Sequence, residues 1–479
     1  MLSLPLASRR KALPALLTLA AAAPACLAQF DPANGQWGKE DPRDIRVMTY
    51  NVQDGICSST TRKSQAGADW DALVRTVAAL KPDVIIFQET GDNSGNNTGS
   101  GVDSVANLTT TFELFIRGGV DPFRGGNVSF FLQAYDPTLD YHIFVSTNSD
   151  NFNRNVILSR YPFLDLTGDG ESTISDVDFT FPDDWNPTFG NGGIRGHQFA
   201  EIDLPDELYA GDLVVGNSHL KAGGSSSDRN QRRQAAQVVA YNIHYLFGGA
   251  LTGTPDPNNA ISDAPPPTDI LDENTPVIWG GDWNEDDGQL SNPSAPQFWF
   301  LQGGGGANDG TDRDGSNSSY DQATDFFTGS NGTLGSSKLD YLAYWDSIAT
   351  QRHAYVFNTL SIPGGNFPLE INGFAGGAAL VTLIAADHRP VFADYILPEA
   401  PEDTCLADLT VDGVCDTDAG GGDGVTLSDF SCYLSLWSGN MNIADITVDG
   451  VCDPDAGGGD GVTLSDFSCY LSLWSAGCP

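Results

Sequence analysis

Apolar residues in this chain come in short runs that repeatedly end on a polar group. From residue 45 the sequence reads Ile-Arg-Val-Met-Thr-Tyr-Asn-Val, alternating as a strand does and ending at Asn51 before the turn-like Gln53-Asp54-Gly55. Trp70, Leu73, Val74, Val77 and Leu80 then recur on one face of a predicted helix that Lys81-Pro82 stops. A second apolar strand over 83–90 finishes at Glu89, so the opening is a strand, helix, strand unit. Residues 91–140, rich in Asn, Gly and Ser, predict one helix around 106–116. Strands are expected again at 141–146, 155–159, 195–204 and 212–220, the last ending in Asn217-Ser-His219-Leu. The helix after it carries Ala235, Val239, Ile243 and Leu246 on one face, and a Pro- and Asp-rich loop covers 250–274. Val277, Ile278 and Trp279 make a buried strand running into Gly280, Gly281, Asp282, Trp283 and Asn284. The paired glycines are expected to stop that strand and let a ligand approach the backbone. Asp282 and Asn284, two apart, share a side if the chain stays extended. A further strand over 336–344 contains Asp340, and a last strand pair brackets Asp387 and His388.

Composition adds an address. Arg9-Arg10-Lys11, an apolar Leu/Ala segment and the small-residue site at Cys26-Leu27-Ala28 form the pattern of a signal peptide over 1–28. A lipid-anchored start at Cys26 is a poorer match. No other stretch is apolar enough to span a bilayer, so a secreted or cell-surface protein is expected, with no transmembrane segment in the mature chain. The formal net charge is −40 over 479 residues. The last 79 residues contain fourteen Asp and Glu and no Lys or Arg, which leaves −26 to the first 400. Such a field repels polyanions, so a phosphate-bearing substrate requires metal ions or a local basic patch. Arg195, Lys221, Arg229 and Arg232 are the candidate phosphate contacts. Six of the eight cysteines lie between Cys405 and Cys478, which in an exported chain reads as a disulfide framework, while Cys57 has no evident partner.

Asn51, Glu89, His219, Asp282, Asn284, Asp340, Asp387 and His388 each lie at or near the end of an apolar strand, which is how an α/β scaffold builds a cleft. Carboxylates with amides suit a hard cation such as Mg2+ or Mn2+; zinc would want more His and Cys. In this order the pieces Tyr50-Asn51, Gln88-Glu89, Asn217-Ser-His219-Leu, Gly281-Asp282-Trp-Asn284, Ser337-Lys-Leu-Asp340-Tyr and Ala386-Asp387-His388-Arg-Pro resemble the endonuclease/exonuclease/phosphatase superfamily. The resemblance implies a four-layer α/β/β/α sandwich over 40–397. It also implies Glu89 as ligand of a catalytic divalent metal with Asn51 and Asp387 beside it. Asp282 would orient or activate water, His219 and Asn284 would hold the scissile phosphate, and His388 would do acid/base work oriented by Asp340.

Asp165, Thr167, Asp169 and Asp176 match a calcium-loop spacing, but Ser172 stands where such loops place an apolar anchor, so the segment reads as an acidic surface loop. After a polar linker at 398–404, residues 407–438 and 444–475 are one 32-residue unit repeated at an offset of 37, differing only at Leu409/Ile446 and Thr417/Pro454. Clustered Asp with Gly, followed by an apolar helix, resembles tandem dockerin-type calcium modules over 405–479. Asp408, Asp412, Asp423 and Asp429 are the candidate Ca2+ ligands of the first unit, with Asp445, Asp449, Asp460 and Asp466 in the second. The stretch between Asp412 and Asp423 is longer than a standard loop, and the units hold cysteines. A cohesin-like or cell-surface partner is expected for the tail.

The resulting expectation is a secreted, metal-dependent phosphodiesterase, nucleic acid being the favoured substrate through the Asn-Ser-His-Leu-Lys strand and its Arg-bearing helix. A sphingomyelinase-like lipid phosphodiesterase is the alternative enzyme. A surface-attached binding protein with an inactive catalytic domain is the alternative of another class.

Overall fold

A computed structural model describes residues 30–164 apart from 54–55, 57–59, 92–101, 147–148 and 150–152. It also describes 197–241 apart from 207, 275–302 apart from 287, 289–291 and 293–294, and 318–400. Of the tail it describes 410–411, 414–415, 427–438, 447–448, 451–452 and 467–471. The leader, Cys57, the 165–176 loop and Arg195 lie outside the described residues.

Twelve strands build the frame: β1 (Ile45–Asn51), β2 (Val84–Thr90), β3 (His142–Val145), β4 (Arg154–Ser159), β5 (Phe163–Leu164), β6 (His197–Ile202), β7 (Leu213–His219), β8 (Val277–Asp282), β9 (Ser318–Tyr320), β10 (Asp340–Trp345), β11 (Thr350–Val356) and β12 (Val391–Ile396). They form two six-stranded sheets, in the orders β11-β12-β1-β2-β4-β3 and β9-β10-β8-β7-β6-β5. In each sheet one central pair is parallel, β1 with β2 and β7 with β8, and the remaining pairs are antiparallel.

The alternation along each strand shows why there are four layers. Ile45, Val47, Val84 and Ile86 point into a core shared with Ala200, Ile202, Val215, Ile278 and Leu342 of the other sheet. Their neighbours Met48, Tyr50, Ile85 and Phe87 point outward beneath α1 (Asp69–Leu80) and α2 (Val105–Arg117). On the opposite outer face Val214, Val277 and Trp279 meet Ala235, Ala236 and Val239 of α3 (Ser226–Tyr241), and Phe300 of α4 (Pro296–Gln302). Strands covered on both faces read as unbroken apolar runs, which is what the sequence shows for 84–87 and 277–279. One fully buried ion pair lies on the outer face of the first sheet: Arg46 bonds both carboxylate oxygens of Asp394 at 2.6 and 2.7 Å, tying β1 to β12.

Two expectations are corrected. The segment before Asp387 is not a strand but a short helix, α5 (Val381–Ala385), with Val381, Thr382 and Ala385 buried at helical spacing. The partner of β12 is β11 instead, a strand the sequence reading passed over, whose middle residues are only half-buried. The linker expectation is also modified at its start. Ala210 donates to the carbonyl of Pro398 and Ala400 to that of Leu208, so 398–400 are laced to the domain. No helix among the described residues is long and apolar enough to cross a membrane.

In the tail, α6 (Leu427–Ser438) and the helical residues 467–471 meet at equivalent repeat positions, Tyr433 stacking on Tyr470 with ring centroids 3.6 Å apart. Cys432 and Cys469 are each disulfide-bonded. Candidate calcium ligands Asp408, Asp412, Asp423, Asp445, Asp449, Asp460 and Asp466 lie outside the described residues, as does the side chain of Asp429.

Candidate active site

Strand direction gathers the polar termini at one edge of the double sheet. Parallel pairing sets Asn51 opposite Gln88 and His219 opposite Asp282. Because β10 runs against β8, its first residue, Asp340, faces Asp282. β12 starts at the same edge, three residues after His388.

Gly280 and Gly281 have a different role from the expected strand stop. β8 continues through them to Asp282. A Cβ on Gly281, whose φ is +133°, would overlap the carbonyl oxygen of Ser218, and one on Gly280 would overlap that of Tyr341. The glycines therefore let β7 and β10 close around β8 and bring His219, Asp282 and Asp340 together.

Asn51 spans the seam between the sheets. Its amide nitrogen donates to Glu89 Oε1 at 3.2 Å and to Asp282 Oδ2 at 3.0 Å, and its oxygen accepts from the backbone of Gln53. His219 Nε2 lies 3.4 Å from Asp282 Oδ2 and 3.7 Å from Glu89 Oε1. On the other side of Asp282 is His388, with Nδ1 2.7 Å from Asp340 Oδ2 and Nε2 3.7 Å from Asp282 Oδ2. Asn284 curls back in the left-handed region at φ +54°, donating its backbone N–H to Asp282 Oδ1 and its side-chain amide to the carbonyl of Leu220. Glu89 is likewise left-handed, at φ +56°. Such a conformation costs a non-glycine residue about 1–3 kcal/mol and clusters at functional sites.

Burial pushes the Asp282 carboxyl up to about 7, with the charge of Asp340 adding to it and His388 opposing. Burial works against a charged His388, yet Asp340 and Asp282 outweigh it and push the imidazole up to about 10. The buried Oδ1 of Asp340 and the Tyr50 hydroxyl have no hydrogen-bond partner among the described residues. Two crowded carboxylates, one with an unsatisfied oxygen, fit a cation that would relieve their repulsion. Asp282, Asp340 and His388 have ligand atoms within 4.8 Å of one another and could hold a metal ion.

A family model described as "Endonuclease/Exonuclease/phosphatase family" matches residues 48–466. The chain belongs to this family. Members of the endonuclease/exonuclease/phosphatase family are hydrolases that act on phosphoester bonds. Among solved structures, similar chains include an endonuclease/exonuclease/phosphatase from Beutenbergia cavernae, 17% identical with a TM-score of 0.40 over 75% of this chain and 73% of that one. Humanized D. rerio TDP2 is 15% identical with a TM-score of 0.36 over 74% and 99%. The human Nocturnin catalytic domain with bound sulfate is 12% identical with a TM-score of 0.34 over 74% and 93%. No curated protein matches.

Within this family member, Asn51, Glu89, His219, Asp282, Asn284, Asp340 and His388 converge. Asp387 stands exposed in the lining of a small open cavity beside His388, together with Asn358, Leu360, Leu383 and Arg389. The basic rim is arranged differently from the sequence expectation. Arg232 is only 1% exposed, with its guanidinium on Glu285 at 2.6 Å and on the carbonyls of Lys221 and Gly223, so it braces a loop and cannot face a phosphate. Lys221 lies 3.8 Å from Asp228, and Arg229 lies 4.0 Å from Glu285. Gln88 and Asn217 received no role of their own from the sequence, although each directly precedes, or is two residues before, a site residue.

Proposed function

We propose that this chain is an exported, divalent-metal-dependent phosphodiesterase that hydrolyses nucleic acid and is tethered through a calcium-binding, dockerin-like tail. The observation that carries the reading is the buried line Asp340–His388–Asp282, continued across the sheet seam through Asn51 and His219 to Glu89. A phosphodiester repels nucleophiles, so its site must supply positive charge, donors and a positioned water. Glu89, with Asn51 beside it, would hold the cation, which when bound neutralises charge on the phosphate. Asp282, whose upward shift makes its ionised carboxylate a stronger base, would orient the attacking water and accept its proton. His219 and Asn284 flank the position of the scissile group. Asp340 fixes the tautomer of His388 and keeps it protonated, so that its Nε2–H donates to the developing charge or the leaving oxygen.

Leu360 and Leu383, 58% and 65% exposed in the lining of the cavity beside His388, favour a second reading in which the ester carries an apolar group, as a lipid phosphodiester does. Plasmid nicking and sphingomyelin hydrolysis, each with Mg2+ and with EDTA, separate the two. Nicking that requires Mg2+ and disappears in Glu89→Ala and His388→Ala supports the nuclease. Turnover of sphingomyelin alone supports the lipid reading. Neither activity in a folded, Mg2+-loaded protein would leave the binding-protein alternative.

A further inference from the structure

The site depends on Glu89 turning out of its strand. The pairing of β2 with β4 is regular up to Phe87–Val156, slips, and resumes at Thr90–Arg154. Gln88 and Glu89 occupy that bulge, and Glu89 takes its left-handed φ there. A bulge re-aims a side chain and disrupts the ladder locally. Here a buried side chain of the other sheet braces it. Asn217, fully buried on β7, donates its amide to the carbonyls of Phe87 at 2.9 Å and Val156 at 3.1 Å, the last regular pair before the slip. Its Oδ1 accepts from Gln88 Nε2 at 2.8 Å. Gln88, also fully buried, donates as well to the carbonyl of Ile86 and accepts from the Thr49 hydroxyl.

We infer that Gln88 and Asn217 are positioning residues for Glu89: a buried amide pair that plugs the bulge across the two sheets and aims the carboxylate at the cation site. Inward alternation supports the assignment. Thr49 and Asn51, Gln88, Asn217 and His219, and Asp282 all project between the sheets, so the bridge lies one layer beneath the site and shares its strands. Truncating either amide removes the bridge that joins Asn217 to Gln88, Phe87 and Val156, so the bulge is expected to relax and carry Glu89 away from His219.

The inference rests on Glu89 serving a metal, and the test separates the two. Mn2+ binding is titrated on the full chain by the loss of the free-ion electron paramagnetic resonance signal, and the sites that vanish in Glu89→Ala define the relevant class. Sites in the tail drop out of that comparison. Gln88→Met and Asn217→Leu are each expected to weaken the Glu89-dependent class by about tenfold or more, the range typical of groups that orient metal ligands. Thr49→Val, a near-isosteric change that removes one bond to Gln88, is expected to weaken it by roughly threefold and serves where the larger changes prevent folding. Ile86→Val, a buried deletion on the same strand, supplies the control for lost stability. The double variant Gln88→Asn with Asn217→Gln restores an amide pair and is expected to recover most of the affinity. Mn2+ affinity in Gln88→Met, Asn217→Leu and Thr49→Val no weaker than in Ile86→Val would overturn the positioning role. Binding unchanged in Glu89→Ala would instead remove the metal reading beneath it.

Discussion

At Glu89 conformation and chemistry can be separated. Its φ of +56° is a conformation that non-glycine residues adopt uncommonly. Glu89→Gly and Glu89→Ala are both expected to lose the proposed cation site at Glu89, but only the glycine variant relieves the strain. Chemical denaturation is expected to show Glu89→Gly more stable than Glu89→Ala by about 1 kcal/mol. Equal stabilities would mean that the residue relaxes in solution. Asp282 makes a second prediction through its titration. With the carboxyl raised from 3.8 to about 7, the protonated form is favoured in the fold, so the stability it contributes is complete below pH 4 and is lost as pH rises through 7. Binding of the proposed cation is expected to run the opposite way, because ionised Asp282 adds negative charge beside the Glu89 site. Affinity for Mg2+ or Mn2+ is therefore expected to climb up to about tenfold per pH unit from 5.5 to 7 and then level off, with the slope lost in Asp282→Asn. Calorimetric titration at fixed ionic strength reads this directly, and a flat wild-type profile would contradict it.

At the scale of elements, the paired glycines of β8 set how tightly three strands close. A methyl at Gly281 collides with the Ser218 carbonyl of β7 at a φ that alanine avoids, so Gly281→Ala is expected to cost roughly 3 kcal/mol or more in urea denaturation. A loss below ~1 kcal/mol would show that β7 and β8 can part without disturbing the site. Alternation made β1 legible, and β2 and β8, covered on both faces, read as short continuous apolar runs. It failed at 381–385, where Val-Thr-Leu-Ile-Ala is apolar and partly β-branched yet forms a helical turn. Only Val381, Thr382 and Ala385 are buried there, while Leu383 stays exposed. Short apolar runs do not state their own period.

At the scale of the molecule, a catalytic sandwich and a repeat module share one chain. The first domain contains all the converging site residues, so a chain ended after Ala400 is expected to keep its kcat/KM within about twofold, as an independently folding domain would. Hydrolysis falling more than about tenfold in a folded truncation would bring the tail into the reaction. The sequence alone determined which strands are buried on both faces and which polar residues terminate them, because alternation and strand ends are local properties written residue by residue. It also carried the family, whose short motifs keep their order. Only the tertiary structure decided that Arg232 is a buried brace for Glu285, that Asp387 is exposed while Asp340 is sealed beneath His388, and that Asn217 reaches across to the bulge at Gln88. Each of these depends on how distant segments pack together. The contacts join residues 48 to 129 positions apart and have no trace in local pattern.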